Sequence, residues 1–252
     1  TLQQLGRATE ALVQFEQAVD QAARDPGGKE ELAQIHVNRA YCLLAQARFE
    51  EGWLDYEHRW RAPSIVAEIE GPTPAILRGR IDTTVSADAL TGKRVLVVGE
   101  QGIGDQIMFA SILADVQASA SHVALLCDPR LRRLFSASFP NIKMVGADVS
   151  PDGFDHVLAM GGLGRLYRNR PEDFTGRPYL TPAVSAVKRW AERFDPNDRR
   201  QRIGISWRGG KPKSLQLSGA KLTHHAGHRA RMGRVLADSM TPVAIEIPTG
   251  SD

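Results

Sequence analysis

Two short glycine-bearing segments carry the residues best suited to chemistry. The first, Gly99-Glu-Gln-Gly-Ile-Gly-Asp105, joins an apolar, β-branched run to a helical stretch. Glycines let a backbone approach a ligand closely, and a helix N-terminus presents unpaired N–H groups to an anion. Gln101, Gly102 and Gly104 would line such an approach, and Asp105 is the carboxylate at the start of the helix. The second segment, Gly204-Ile-Ser-Trp-Arg-Gly-Gly210, repeats the order of strand then glycines. It sets Arg208 and Gly209 beyond the carboxyl end of a strand, where open α/β sheets bind ligands.

Several chemistries are compatible with a loop of the first kind. A P-loop requires Lys-Ser/Thr after its glycines, and Asp105-Gln106 excludes it. A dinucleotide fingerprint requires a third glycine, and this sequence has Asp105, Gln106 and Ile107 there. Asp128, at the end of the following strand, nevertheless stands where a ribose-binding acid belongs. Asp105 is equally suited to capping the helix and nothing more. Locally, Arg208 reads as a solvated loop residue as readily as a phosphate ligand. His224, His225 and His228 have no acid or cysteine at ligand spacing, so no metal site is expected.

The elements around these segments fall into two regimes. Within 1–61, Leu12, Phe15, Ala18 and Ala22 recur at helical spacing, as do Ile35, Arg39 and Leu43, then Trp53, Tyr56 and Trp60. Asp25-Pro-Gly-Gly28 reads as a turn. The pattern Gly6/Ala11/Phe15/Ala18 returns 41 residues later as Ala47/Gly52/Tyr56/Arg59. That resembles the second helix of a tetratricopeptide (TPR) repeat, at a spacing longer than the usual ~34 residues. Residues 62–92, with Pro63, Pro72, Pro74, Gly71, Gly79 and Gly92, read as a linker. Strand-like runs then appear at 94–99, 122–127, 142–145, 156–159 and 202–207. They alternate with helical stretches at 105–118, 131–138 and 183–194. Such alternation implies a parallel sheet with helices on its faces.

Composition narrows the class. The chain has 252 residues, 24% charged and 42% hydrophobic, which suits a folded protein and excludes collagen, coiled coil and wholesale disorder. No run approaches the ~20 apolar residues of a membrane helix, and no signal peptide opens the chain. Cys42 and Cys127 each sit in an apolar run, which fits reduced thiols and a cytoplasmic location. Net charge is +3, but from Arg208 onward there are 7 basic residues against 3 acidic. Residues 1–207 therefore carry 25 basic against 26 acidic groups, and this neutral body argues against nucleic acid as a partner.

Taken together, Phe49-Glu-Glu-Gly-Trp-Leu-Asp-Tyr-Glu-His-Arg-Trp60, the stretch from Gly92 to Ala110, Cys127-Asp-Pro-Arg-Leu131, Glu172-Asp-Phe174, Pro178-Tyr-Leu180 and the Ser-Trp-Arg-Gly-Gly segment ending at Gly210 resemble a family. The chain is similar over residues 1–210 to bacterial TPR glycosyltransferases, relatives of heptosyltransferases and O-GlcNAc transferases. The resemblance implies an α/β protein: an N-terminal helical (TPR-like) segment followed by a Rossmann-like parallel-sheet half of a GT-B fold. The implied division is 1–61 helical repeats, 62–92 linker, 93–182 first Rossmann-like half, 183–210 connecting helix and first strand of the second half, and 211–252 a divergent, poorly structured tail. It also implies transfer from a nucleotide-sugar, a UDP-sugar first, to an acceptor hydroxyl, with no metal and no organic cofactor. Asp105 matches the position of the heptosyltransferase general base, and Arg208 and Lys211 would face the diphosphate. The helical repeats would engage the acceptor or a protein partner.

One departure qualifies this expectation. A complete second half needs ~120–150 residues after the Ser-Trp-Arg-Gly-Gly strand, and 42 follow Gly210. The chain as written is therefore expected to transfer no sugar, its character after residue 210 suggesting a frameshift or early stop. Two other classes compete: a non-catalytic TPR-type interaction module, and a dinucleotide-binding oxidoreductase.

Overall fold

Arg94–Val98 (β1) is buried along all but its first residue, and it is one of the two inner strands of a four-stranded parallel sheet. The structure, a computed structural model, describes residues 7–22, 24, 29–70 and 73–193. These lie in one compact unit, Thr1–Pro196, and the second unit, Asn197–Asp252, falls outside the described residues. The strand expected at 202–207, Arg208, Gly209, Lys211 and the three tail histidines therefore lie outside them as well.

Ahead of the sheet come Ala8–Ala22 (α1), Lys29–Ala45 (α2), Phe49–Tyr56 (α3), a 3₁₀ turn at Glu57–Trp60, Pro63–Glu70 (α4) and Ala75–Arg78 (α5). After β1 come Ile103–Ala110 (α6), Leu113–Ser119 (α7), His122–Leu126 (β2), Arg132–Ser138 (α8), Lys143–Met144 (β3), His156–Ala159 (β4), Leu163–Tyr167 (α9) and Val184–Arg193 (α10). The strand order is β3-β2-β1-β4. In register, Val95 pairs with Val123 and with His156, and Val97 pairs with Leu125 and with Leu158. The chain thus runs outward from β1 to β3 and then returns to β1's other flank.

Alternate residues of a strand point to opposite faces, and the sheet is covered on both. Val95, Val97, Val123 and Leu125 pack with Phe109, Leu113, Val116 and Phe135 from α6, α7 and α8. Leu96, Val98, Ala124 and Leu126 pack instead with Leu77 of α5, Ile81, Val149 and Phe154. The helical stretch read over 105–118 is two helices. It breaks at Ser111, whose hydroxyl bonds back to the Met108 carbonyl at 2.7 Å, a local bond that competes with helix continuation.

The stretch 62–92, which reads as a linker from its Pro and Gly content, holds two short helices. Ile65 and Ile69 of α4 bury against Ala33 and Val37 of α2. Ile81 pairs with Val157 along the outer edge of β4. In the helical segment α2 closes on α3 at Gly52, where a Cβ would come within 2.8 Å of the Leu44 side chain. Trp53 and Tyr56 of α3 belong to the same buried cluster as the first face of the sheet. Both cysteines are buried free thiols. Among the described residues no helix is long and apolar enough to cross a membrane.

Candidate active site

The glycine loop leaves β1 at its carboxyl end, and Gly99 and Gly102 each answer to a neighbour, whereas Gly104 faces open space. Gly99 N–H donates to the Leu126 carbonyl at 2.6 Å and so prolongs the β1–β2 ladder. The buried Gln106 side chain lies directly over it. A Cβ at position 99 would sit 2.6 Å from Gln106 Oε1, the oxygen that accepts the Asp128 N–H at 2.9 Å. Gln101 then turns the chain with a φ of 59°, a left-handed conformation uncommon for a residue with a Cβ. Its Nε2 donates to the Tyr56 hydroxyl at 2.7 Å.

Gly102 caps α6 in extended conformation, and Asp105 stands in the helix's first turn. Asp105 Oδ2 accepts the Gly102 N–H at 3.0 Å. That bond satisfies one otherwise orphaned donor of the helix end, so the capping role of Asp105 is directly visible. The side chain is half-buried, and its second oxygen has no hydrogen-bond partner among the described residues.

Between Gly99 and Gln101, Glu100 turns inward and is 1% exposed. A carboxylate this deep requires a counter-charge and hydrogen bonds. Arg59, fully buried, supplies both, with Nη2 at 2.7 Å and Nε at 3.1 Å from the two oxygens. The Gly161 N–H donates to the same carboxylate at 2.8 Å. A Cβ on Gly161 would come within 2.6 Å of Glu100 Oε1, so glycine is needed there. Arg59 also donates to Glu57 at 2.9 Å and to the Tyr56 carbonyl at 3.2 Å. Burial opposes the guanidinium's charge, yet the Glu100 and Glu57 carboxylates outweigh it and hold Arg59 protonated beyond its ordinary range. Burial pushes the Tyr56 phenol well up, so its hydroxyl stays neutral.

Glu100 follows β1 and Gly161 follows β4, and these neighbouring strands flank the point where strand order reverses. Open α/β sheets bind ligands in the crevice at that point. Here Glu100 bridges the two strand ends, and Arg59 from the helical segment closes over it. The junction is fixed further along by Trp53, whose Nε1 donates to the Arg168 carbonyl at 2.7 Å. Its indole lies so close to Gly164 that a Cβ would meet it at 2.7 Å.

Of the residues singled out in sequence, Gln101, Gly102, Gly104 and Asp105 therefore stand together, with Asp128 beside them through Gln106. Arg130 occupies both oxygens of Asp128, its Nε at 3.0 Å and Nη2 at 2.9 Å. That bonding holds the Asp128 carboxyl below its usual range. The acid that would bind a ribose is thus already paired. Arg59 and Glu100 were not legible as site residues. The signal available was a carboxylate placed directly after a fully buried strand, which must find a cation. A separate cavity of about 400 Å³ opens beside the 3₁₀ turn, lined by His58, Trp60, Arg61, Val66 and Ile81 among others and by no residue of the glycine loop. Among the described residues no group of three or more His, Cys, Asp or Glu is arranged to hold a metal.

No family model matches the chain, and no solved structure matches it either. Among curated proteins it is similar to protein FlbA of Caulobacter vibrioides, 29% identical over 233 residues. The match covers 85% of this chain and 36% of FlbA, so the chain spans about a third of the length of that relative.

Proposed function

We propose that the glycine loop is the acceptor-side site of a GT-B-type glycosyltransferase. Asp105 takes the proton of an acceptor hydroxyl as the new carbon–oxygen bond to the sugar forms and the nucleoside diphosphate leaves. The observation that carries this reading is the carboxylate of Asp105 at the carboxyl end of β1. One of its oxygens is anchored and the other is open. The resemblance to TPR glycosyltransferases supports the donor side, where Arg208, Gly209 and Lys211 would meet the diphosphate of a UDP-sugar by charge-assisted contacts. The helical segment, read as TPR-like, would engage the acceptor or a protein partner. The test is release of nucleoside diphosphate from labelled nucleotide-sugars by an intact gene product, one in which residues 1–210 continue into a complete donor-binding half; the 252-residue chain by itself is expected to release none. Turnover with at least one donor is expected, and no release from any of them overturns the reading.

A second reading, a TPR-type interaction module whose α/β part is inert, is favoured by one observation. The crevice between β1 and β4 is filled by Arg59 and Glu100, and Asp105 already has a structural task as a cap. Ligand-induced heat stabilisation separates the readings from each other and from a dinucleotide enzyme, because a ligand that binds only the folded state raises its midpoint. Uridine diphosphate should stabilise a transferase, NAD an oxidoreductase, and neither should affect an inert module.

A further inference from the structure

The glycine loop is shaped from outside itself. Gln101 is one of two non-glycine residues with positive φ among the described residues. Its bend is the step by which the chain leaves β1 and enters α6. A side chain bearing a Cβ adopts that conformation at a cost, and the loop offers Gln101 no side-chain partner of its own. Its amide reaches instead to the Tyr56 hydroxyl at 2.7 Å, 45 residues earlier and on α3 of the helical segment. Tyr56 is itself held firmly. It is 4% exposed, its ring lies 5.9 Å from that of Trp53 and 6.4 Å from that of Phe109 on α6, and the Arg59 guanidinium stands 4.6 Å over it.

We propose that Tyr56 is a positioning residue: its hydroxyl holds the bend at Gln101 and thereby sets where Gly102 and Asp105 stand. The helical segment is then a working part of the site, because it supplies the template on which the loop is formed. The catalytic consequence rests on the reading of Asp105 as a base, whereas the structural one does not.

Tyr56→Phe keeps the ring and its packing and removes only the hydroxyl. Gln101→Met keeps the length and removes only the amide. Each should speed hydrogen exchange roughly fivefold, the worth of one net hydrogen bond, at the amides of Gly102 and Gln106, whose N–H groups donate to Asp105 Oδ2 and to the Gly102 carbonyl. The double variant should be no faster than either single, because both delete the same bond. The thermal midpoint of the whole chain should fall by no more than about 2–4 °C, the same fivefold loss expressed as about 1 kcal/mol. In the intact gene product, Tyr56→Phe should lower kcat by about the same factor and leave the KM for the nucleotide-sugar unaltered. Unchanged exchange at Gly102 and Gln106 in Tyr56→Phe overturns the proposal, as do effects of the two substitutions that multiply in the double variant. Faster exchange with undiminished turnover supports Tyr56 as the loop's tether and counts instead against Asp105 as base.

Discussion

Arg59 and Glu100, 41 residues apart in sequence, form a two-point ion pair at 2.7 and 3.1 Å in which neither side chain is more than 1% exposed. The pair joins the helical segment to the end of β1. An ion pair of this depth gains little over an apolar pair of similar shape, but losing one member strands the other charge in the interior. Its value is therefore mainly one of register, fixing Tyr56 against Gln101 of the glycine loop and Trp53 against Gly164.

Arg59→Met and Glu100→Gln should each destabilise the chain by about 3–5 kcal/mol. The paired change Arg59→Met with Glu100→Gln should cost much less than the sum, since neither member of the pair is left as a lone buried charge and only the less deeply buried Glu57 loses its bond to Arg59. Urea denaturation of the three variants decides this. Additive losses would mean that the two residues act independently.

The Trp53–Gly164 contact makes a second demand. A methyl at position 164 would fall 2.7 Å from the indole, so Gly164→Ala should destabilise by about 1–3 kcal/mol through overpacking. A stability within a few tenths of wild type would show that the indole yields freely.

Stability should also fall at mildly acidic pH. His58 is half-buried and stacks on His36 with ring centroids 4.0 Å apart. Burial first, and then the neighbouring His36, lower its affinity for a proton. Asp55 and Arg39 stand in the same cluster: Asp55 accepts from Arg39 at 2.5 and 2.9 Å and lies 2.9 Å from His36 Nδ1. A histidine whose folded pKa is depressed binds fewer protons in the folded state than in the unfolded one. Stability is therefore full above the unfolded pKa of about 6.5 and declines as pH falls from there toward the folded value. The slope contributed by this one group is at most about 1.4 kcal/mol per pH unit. Melting curves from pH 7.5 to 5 should show the decline, and His58→Gln should flatten it. An equal decline in the variant would place the proton elsewhere.

Much of the sheet was readable because its signals are local. The β-branched run at Arg94–Val98 and the apolar run at His122–Leu126 lie where the sequence places them, and His156–Ala159 coincides with the run expected there. Asp105 was recognisable as a cap from its place in the first turn after Gly104, whereas its role as a base is what the family resemblance implies. The rest depends on distant partners. Pro and Gly mark 62–92 as a linker, but Ile69 and Ile81 find packing there that no local pattern announces. The left-handed bend falls on Gln101 rather than on a glycine, so composition could not reveal it. The Arg59–Glu100 pair joins segments that share no periodicity, and only the fold brings them together.

The most direct test is the turnover of Asp105→Asn in the intact gene product, set against its stability. A positioned base contributes about 10²–10⁴-fold. The substitution should therefore lower kcat by that range, leave the KM for the nucleotide-sugar unchanged, and barely move the unfolding midpoint, because the asparagine oxygen can still accept the Gly102 N–H. A kcat within twofold of wild type would contradict the assignment and leave Asp105 as a helix cap alone.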